Sequence, residues 1–478
     1  MKKLLKKIIP QWVFGIYHWK WAFFSALVYG FPSRRLKVIG ITGTKGKSTV
    51  VVLAGAILRQ GFGMVKVGWI SSLTINNGEK EVMNPYHMTM PGRFFIQKTL
   101  RQMVKNGCEY ALVEVTSEGI KQHRHRFIKW AGAVFTNLAP EHLEAHGGFE
   151  NYRKAKEKLF EAAAKNKESF GVYNLDDKNA QHFFEFPIKN KYGITQKNNF
   201  QFSPALPRLG RGRAIFNFQS ILKFSNVKLT ANGSEFEING VKFKTNLLGE
   251  FNVYNCGAAI GVGAACGVDL EIAARALEKI KSIPGRLEMI DEGQDFTVVV
   301  DLAHTPDSFS QIFNLFKNLA AHRILPDHRN FSEGGGEGGS RARIISVFGS
   351  AGGGRDKWKR PELGKIASKY ADIIILTNED PYDEDPSQIL SEIKSGISNF
   401  PASSRLQRGE QFPISNLYEI QDRKEAIAKA LGLARTGDIV LVLGKGTEQT
   451  LVIGGKKQKW DDREVVREEL RKINFRSS

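Results

Sequence analysis

The sequence predicts an α/β protein made of stacked parallel βαβ units in two successive domains, and three features predict it. Short β-branched runs alternate with helical segments: KVIGIT, YALVEV and AGAVFTN in the first half, then TVVVDLA, ARIISVFG, ADIIILT and DIVLVLG in the second. Strands buried on both faces read as such near-continuous apolar runs. The two sets lie on either side of Pro284, Gly285 and Arg286, which sets a domain boundary near residue 283. Finally, Lys37 to Thr42 reads as a strand that enters GTKGKST and then the helix-like VVVLAGAILRQ, the order of a phosphate-binding loop. The expected organisation is a basic aromatic helix over 1–35, a central nucleotide-binding domain over 36–283 and a C-terminal domain over 284–478. A Gly-rich insertion near 332–341, SEGGGEGGSR, has no core-forming residues.

Length and composition support this division. The chain has 478 residues with 42% hydrophobic and 25% charged, which excludes a mainly disordered, collagen-like or polytopic membrane protein. Cys108, Cys256 and Cys266 form no CxxC pair and are odd in number, so neither a disulfide framework nor a cysteine zinc site is expected, and a reducing cytoplasm is the natural setting. The formal net charge is +20, a surface that attracts nucleic acid, anionic lipid or phosphorylated small molecules alike. No RNA-binding signature or Cys/His finger spacing accompanies it, and nucleic acid is not an expected partner.

The first element, MKKLLKKIIPQWVFGIYHWKWAFFSALVYGFPSRR, joins a lysine cluster to a dense aromatic run. His18 and Lys20 interrupt the run, leaving only 21–33 uncharged before Arg34, short of the roughly 20 residues that span a bilayer. The expectation is an interfacial helix, with residues 1–33 in peripheral contact at the inner face of the membrane and Lys2, Lys3, Lys6 and Lys7 on anionic lipid. The competing reading is a helix packed on the body of the protein. Further along, 196–250 reads as more antiparallel, with Asn232-Gly233 and Asn239-Gly240 marking hairpin turns.

In the phosphate loop, Gly43, Thr44, Lys45 and Gly46 let backbone N–H groups turn inward on an anion, and the positive end of the following helix faces the same point. Lys47 is placed to neutralise phosphate, Ser48 to offer a hydroxyl to magnesium, and Thr49 completes the motif. The glycines stand at 40, 43 and 46, so the strict GxxxxGK[ST] pattern is not met.

This spacing resembles the variant loop TGTNGK[ST][ST] of the Mur ligase superfamily, with Lys45 where Asn is usual. The resemblance extends through EVTSEGIKQHR, AVFTNLAPEHLEAHGGFENYRKAKEKLF, LLGEFNVYNCGAA, PGRLE, VVDLAHTPDS, VFGSAGGGRDKWKRPELG and GKGTEQTLVIGGKKQKWDDREV, from about Lys37 to Glu469. It points to the MurE-type ligases, the UDP-N-acetylmuramoyl-tripeptide synthetases. It implies a central P-loop ATPase domain and a Rossmann-like C-terminal ligase domain. The implied activity is ATP-dependent addition of an amino acid to UDP-N-acetylmuramoyl-L-Ala-D-Glu through an acyl phosphate, in peptidoglycan synthesis. It further implies ATP and two Mg2+ ions, with Ser48 and Glu114 on one and His142 on the other. Lys156 matches the carbamylated lysine, whose CO2-derived carbamate helps hold the second metal. Clustered cations make chemical sense here, because a carboxylate must approach an already negative γ-phosphate.

The remaining site residues follow from the same resemblance. Thr116, Gln122 and Arg124 match the dipeptide-contacting run, with Thr89 before them; Met90 and Glu118 depart from the family pattern. Arg286 and Asp301 correspond to groups that grip ATP from the far side, with Asn255 and His304 in the same motifs, so domain closure would assemble the reaction. Arg355, Asp380, Gly444 and Glu448 match amino-acid-binding positions, although Thr447 replaces a His. The DNPR motif of diaminopimelate-adding members appears as Glu379, Asp380, Pro381 and Tyr382, without the Arg that clamps a distal carboxylate. The acidic EDPYDEDP suits a cationic side chain such as lysine, while diaminopimelate by other contacts or another diamino acid stays open. Only 36 residues precede Lys37, too few for the usual UDP-holding domain. UDP is then held by the basic surface or a partner, or the acceptor is lipid-linked. The competing readings are a folylpolyglutamate-synthase-like ligase and a non-catalytic, membrane-docked nucleotide-binding protein.

Overall fold

All seven β-branched runs form strands in the computed structural model, and the chain divides into two units. The structure describes residues 11–86, 88–141, 143–197, 218–230, 232–321, 342–398 and 414–477; for 11, 12, 321, 398, 414 and 474–477 it describes only the backbone. The glycine-rich stretch 332–341 and His142 lie outside these residues. One unit comprises 1–229 and 234–281, the other Thr230–Gly233 and Ser282 onward.

The first unit is built on an eleven-stranded sheet. Its strands are β1 (Lys37–Thr42), β2 (Val67–Ile70), β3 (Thr74–Asn76), β4 (Glu81–Met83), β5 (Tyr110–Glu114), β6 (Trp130–Phe135), β7 (Phe170–Asn174), β8 (Asn190–Thr195), β9 (Ser220–Thr230), β10 (Gly233–Ile238) and β11 (Val241–Thr245). The order is β11-β10-β9-β8-β7-β6-β1-β5-β2-β3-β4. From β9 to β2 every pairing is parallel, so the carboxyl ends of β1, β5 and β6 open on one edge, where ligands of such sheets bind. The antiparallel character expected over 196–250 holds for β10 and β11, joined by a turn with Asn239 at φ 51 and Gly240 at φ 82, while β9 runs parallel to β8.

Helix α1 (Gln11–Val28) packs against α3 (Arg93–Lys105), burying Ala22, Ser25 and Ala26. The helix is thus packed on the body of the protein along one side, as the competing reading of the sequence expects, while its other side stays exposed. Among the described residues no helix is long and apolar enough to cross a membrane. Helix α2 (Lys47–Phe62) follows the phosphate loop and buries Val50, Val51, Leu53, Ala54, Ile57 and Leu58 completely. Its last turn closes at Gly63, whose N–H donates to the Arg59 carbonyl. Three more helices serve the site: α4 (Ser117–Lys121) after β5, α5 (Phe149–Ala164) after β6, and α6 (Glu250–Cys266).

The second unit holds a six-stranded sheet of β12 (Glu288–Ile290), β13 (Thr297–Asp301), β14 (Ile344–Phe348), β15 (Ile373–Leu376), β16 (Leu417–Glu419) and β17 (Ile439–Leu443), in the order β12-β13-β17-β14-β15-β16. Only β12 is antiparallel to its neighbour. A separate hairpin pairs β18 (Thr450–Ile453) with β19 (Lys456–Lys459). Ile345, Val347, Val440 and Val442 are wholly buried in the sheet, each worth roughly 1.5–3 kcal/mol of transfer free energy.

Candidate active site

In the first unit Ser48, Glu114, Lys156 and Asn255 gather around the loop between β1 and α2. Gly43 and Gly46 have φ of 151° and 80°, and an added Cβ would come within 1.9 Å of Thr136 Oγ1 and 2.1 Å of Asn255 Oδ1. Glycine is therefore required at both by conformation and by space. Residues just after β6 hold the loop's outer wall: the Lys45 N–H donates to Asn137 Oδ1 at 2.9 Å, and Thr136 Oγ1 donates to the Lys45 carbonyl at 2.7 Å. Thr44 Oγ1 accepts from the Ala139 N–H at 3.0 Å and lies 3.2 Å from the Tyr152 hydroxyl. The Lys45 ammonium pairs with Glu141 at 3.1 Å, which gives this departure from the usual Asn a partner of its own.

On the inner side, Lys47 Nζ donates to the Thr44 carbonyl at 2.8 Å, folding the side chain back over the loop. Ser48, in the first turn of α2, donates to Glu114 Oε2 at 2.9 Å; Glu114 ends β5, opposite Ile41 of β1, and also accepts the Ser72 N–H at 2.8 Å. Thr49 is buried one residue on. Two hard oxygen donors at the end of adjoining strand and helix suit a magnesium ion.

Lys156 reaches the same loop from α5. Gly40 has no side chain, and Leu159 presses on it so closely that a Cβ would lie 2.7 Å away; three residues earlier on α5, Lys156 Nζ donates to the Gly43 carbonyl at 2.7 Å and lies 4.5 Å from the centre of the Tyr152 ring. Burial, reinforced by the Lys47 ammonium, pushes its pKa well below the ordinary lysine value despite Glu141 and Glu114 nearby. A neutral amine is the form that adds CO2, whereas an unmodified ammonium would repel a cation. Lys154 and Lys158, its competitors in sequence, are not among the buried residues. Among the described residues no group of three His, Cys, Asp or Glu side chains forms a metal cluster.

Thr116 caps α4, its Oγ1 accepting the Gly119 N–H at 3.1 Å. Arg124 donates to Gln122 Oε1 at 2.6 Å and to the Met90 carbonyl, so Gln122, Arg124 and the Thr89–Met90 segment form one patch. Asn255, grouped in sequence with Arg286 and Asp301, belongs to α6 of the first unit, pressed on Gly46 and bonded to Asn252 Oδ1 at 2.9 Å.

In the second unit, Asp301 ends β13 and accepts the Leu287 and Ala303 N–H groups at 2.7 and 2.6 Å. The turn carrying Arg286 is thereby tied to it, and Gly285 lies against Gly446 and Thr447 so tightly that a Cβ would meet the Thr447 nitrogen at 2.5 Å. Lys445 pairs with Asp380 at 2.8 Å and Glu448 at 2.7 Å; against the cost of burial, that ammonium holds Glu448 below the usual carboxylate range. Both Asp380 oxygens are in use, the other accepting the Val452 N–H at 2.8 Å. Its neighbour Glu379 is different: it is buried, its Oε2 has no hydrogen-bond partner among the described residues, and burial raises its pKa. That oxygen faces Gly444, where a Cβ would lie 2.7 Å away. Arg355 lies beside Tyr382, with Nη2 3.5 Å from the phenol oxygen.

Two family models match, the Mur ligase middle domain over residues 41–263 and the Mur ligase glutamate ligase domain over 335–446. The chain is 38% identical over 450 residues to the UDP-N-acetylmuramyl-tripeptide synthetase of Borreliella afzelii, covering 93% of this chain and 79% of that protein.

The chain belongs to the Mur ligases.

It is also 34% identical to the UDP-N-acetylmuramoyl-L-alanyl-D-glutamate–2,6-diaminopimelate ligase of Geobacillus kaustophilus, over 92% of this chain and 80% of that one. A solved diaminopimelate ligase superposes with a TM-score of 0.53 at 27% identity, covering 92% of this chain and 79% of that one. Folylpolyglutamate synthase of Mycobacterium tuberculosis shares the fold, with a TM-score of 0.62 at 14% identity over 94% and 93% of the two chains. Mur ligases are ATP-dependent enzymes that form amide bonds and use Mg2+. Sequence reasoning overlooked the supports of the loop, Thr136, Asn137, Glu141, Tyr152 and Ser72. For Glu141 the signal was present: a carboxylate close to the expected metal-binding run and a lysine where the loop usually has Asn.

Proposed function

We propose that this Mur ligase joins an amino acid to the D-Glu carboxylate of UDP-N-acetylmuramoyl-L-Ala-D-Glu, at the expense of ATP, in the cytoplasm during peptidoglycan synthesis. The observation that carries this reading is the buried Lys156 amine on the phosphate loop beside the Ser48–Glu114 pair. A plain nucleotide binder needs the loop and the pair, but not that lysine. Gly43 to Thr49 bind the phosphates of ATP, and Lys47 lowers the repulsion between the γ-phosphate and the acceptor carboxylate. Magnesium would supply charge neutralisation at the phosphates, held by Ser48 and Glu114 and, at a second position, by His142 and a carbamate on Lys156. Thr89, Thr116, Gln122 and Arg124 orient the acceptor; Asn255, Arg286 and Asp301 act on the nucleotide.

A carboxylate oxygen of the acceptor attacks the γ-phosphorus, the bond to the bridging oxygen breaks, and ADP leaves. The amino acid's neutral amine then attacks the acyl carbon, phosphate departs with the electrons of the C–O bond, and the nitrogen loses a proton. Arg355, Gly444 and Glu448 hold the incoming amino acid. The Glu379 oxygen, without a hydrogen-bond partner among the described residues, and the Tyr382 that stands in place of an Arg support a cationic side chain, as in lysine, over a second carboxylate. The exposed aromatic face of α1 supports peripheral contact with the inner membrane surface.

The test is phosphate release from ATP and Mg2+ with the UDP-muramoyl dipeptide across a panel of amino acids, with the product's mass measured. One amino acid that triggers release and adds its own mass less water is the expected result. ATP hydrolysis indifferent to every amino acid would overturn the reading.

A further inference from the structure

Of the large apolar side chains exposed among the described residues, half lie on α1: Ile16, Tyr17, Trp19, Trp21, Phe23, Phe24, Leu27 and Val28. Leu27 and Val28 are 52% and 54% exposed. Contiguous apolar surface of this kind marks an interaction site. Its charge selects the partner. No Asp or Glu occurs before Glu79, and exposed Lys20, Arg34 and Arg35 accompany the face. A second copy of the same face would be repelled, whereas an anionic bilayer suits both the cations and the interfacial aromatics.

The helix also grips the loop that carries Gln122 and Arg124, and does so at both ends. At the near end, Arg93 Nη2 donates to the Gln122 carbonyl at 3.0 Å and lies 2.7 Å from His18 Nδ1 of α1. At the far end, Phe127 meets Trp19 and Phe23 edge to face, with ring centres 5.4 and 5.3 Å apart. The gripped backbone is strained: His123, next to the near grip, and Phe127, at the far one, have φ of 58° and 60°, a conformation that bulky residues keep only where their surroundings hold it.

We propose that α1 docks on an anionic lipid surface through its exposed face and, by clamping residues 122–127 at both ends, makes lipid and acceptor bind cooperatively. The proposal rests on the reading of Gln122 and Arg124 as acceptor contacts. Seating α1 in the interface fixes His18, Trp19 and Phe23, and with them the loop, so the acceptor meets a site already ordered. By linkage, the acceptor must then tighten lipid binding by the same factor.

The test uses the full chain with vesicles of phosphatidylglycerol and phosphatidylcholine, against phosphatidylcholine alone. The wild type should float only with the anionic vesicles, blue-shift its tryptophan emission, and slow hydrogen exchange over 122–127. The acceptor KM should fall by about fivefold or more with kcat unchanged, the lower end of measured couplings. Leu27→Ser with Val28→Ser should abolish flotation and the KM shift together. His18→Leu, or His18→Gln should the first not fold, should float normally but lose both the exchange protection and the KM shift. Exchange and flotation need no turnover, so a chain without ligase activity would refute the functional reading and still test the clamp. The proposal fails if the wild type ignores anionic vesicles, including a case where it merely self-associates, or if it floats with KM and exchange unmoved.

Discussion

Replacing Lys156 with Met separates a buried functional amine from an ordinary surface lysine. The side chain is 2% exposed, with the Gly43 carbonyl as hydrogen-bond partner and the Tyr152 ring beside it. Unfolded, the amine keeps its proton up to the ordinary value of 10.5; folded, burial releases it well below that. The unfolded state therefore binds the extra proton throughout this window, and wild-type stability must rise with pH there. One proton is worth about 1.4 kcal/mol per pH unit, or roughly 3–6 °C in a domain of this size. Methionine has similar volume and no charge, so the variant should lose that slope while its stability at neutral pH stays equal or rises, as when buried charges give way to apolar groups. The assay is thermal unfolding over the pH range immediately below 10.5, in CO2-free buffer. Adding carbon-13 bicarbonate should give the wild type a carbamate signal that the variant lacks, and the variant's turnover should fall on the order of 100- to 1000-fold. Parallel stability curves for the two proteins, with activity retained, would refute the reasoning.

Other perturbations act on single features. Gly46→Ala forces a Cβ to within 2.1 Å of Asn255 Oδ1 at a φ of 80°, so ATP affinity measured by calorimetry should drop by about 5- to 150-fold, the equivalent of the roughly 1–3 kcal/mol that such strain costs; unchanged affinity would show a looser loop. Burial, aided by Arg126 and His123, lowers His125 to about 3, so the unfolded state gains a proton first as pH falls below 6.5 and stability is lost from there toward about 3. His125→Gln should flatten that loss, by roughly 1.4 kcal/mol per pH unit in denaturant titrations between pH 6 and 4; an unaltered acid limb would contradict it. Arg423 and Asp462 form an ion pair with both side chains at 0% exposure, so Arg423→Met leaves a buried carboxylate and should destabilise the second unit by about 3–5 kcal/mol in chemical unfolding; a change below about 1 kcal/mol would mean that the site relaxes.

What could be read from the sequence was what leaves a local imprint. The central strands announced themselves as unbroken apolar runs, because each is covered on both faces. Strands β2, β3 and β4 are only three or four residues long, and the GWI and TIN segments are too brief to show a period. The loop glycines were visible as spacing, but their reasons lie far away in the chain: Leu159 over Gly40, Thr136 at Gly43, Asn255 at Gly46. Asn255 was read with Arg286 and Asp301, whereas packing places it against Gly46 in the other unit. Asp380 and Glu379 are adjacent acids that sequence treats alike; only the Lys445 and Val452 contacts reveal which one is occupied. The dual nature of α1, packed on one side and bare on the other, was ambiguous because its aromatics occur all round the helix.

The most direct test of the account follows oxygen through the reaction. An acceptor dipeptide labelled with oxygen-18 in the D-Glu carboxylate is turned over with ATP, Mg2+ and the preferred amino acid, and the released phosphate is analysed by mass spectrometry. The account requires one labelled oxygen in each phosphate formed, matched by one new amide bond, because the acceptor oxygen that attacks phosphorus leaves with it. Phosphate carrying no label, whether or not ATP is consumed, would contradict an acyl-phosphate ligase and leave the loop of Gly43 to Thr49 with another purpose.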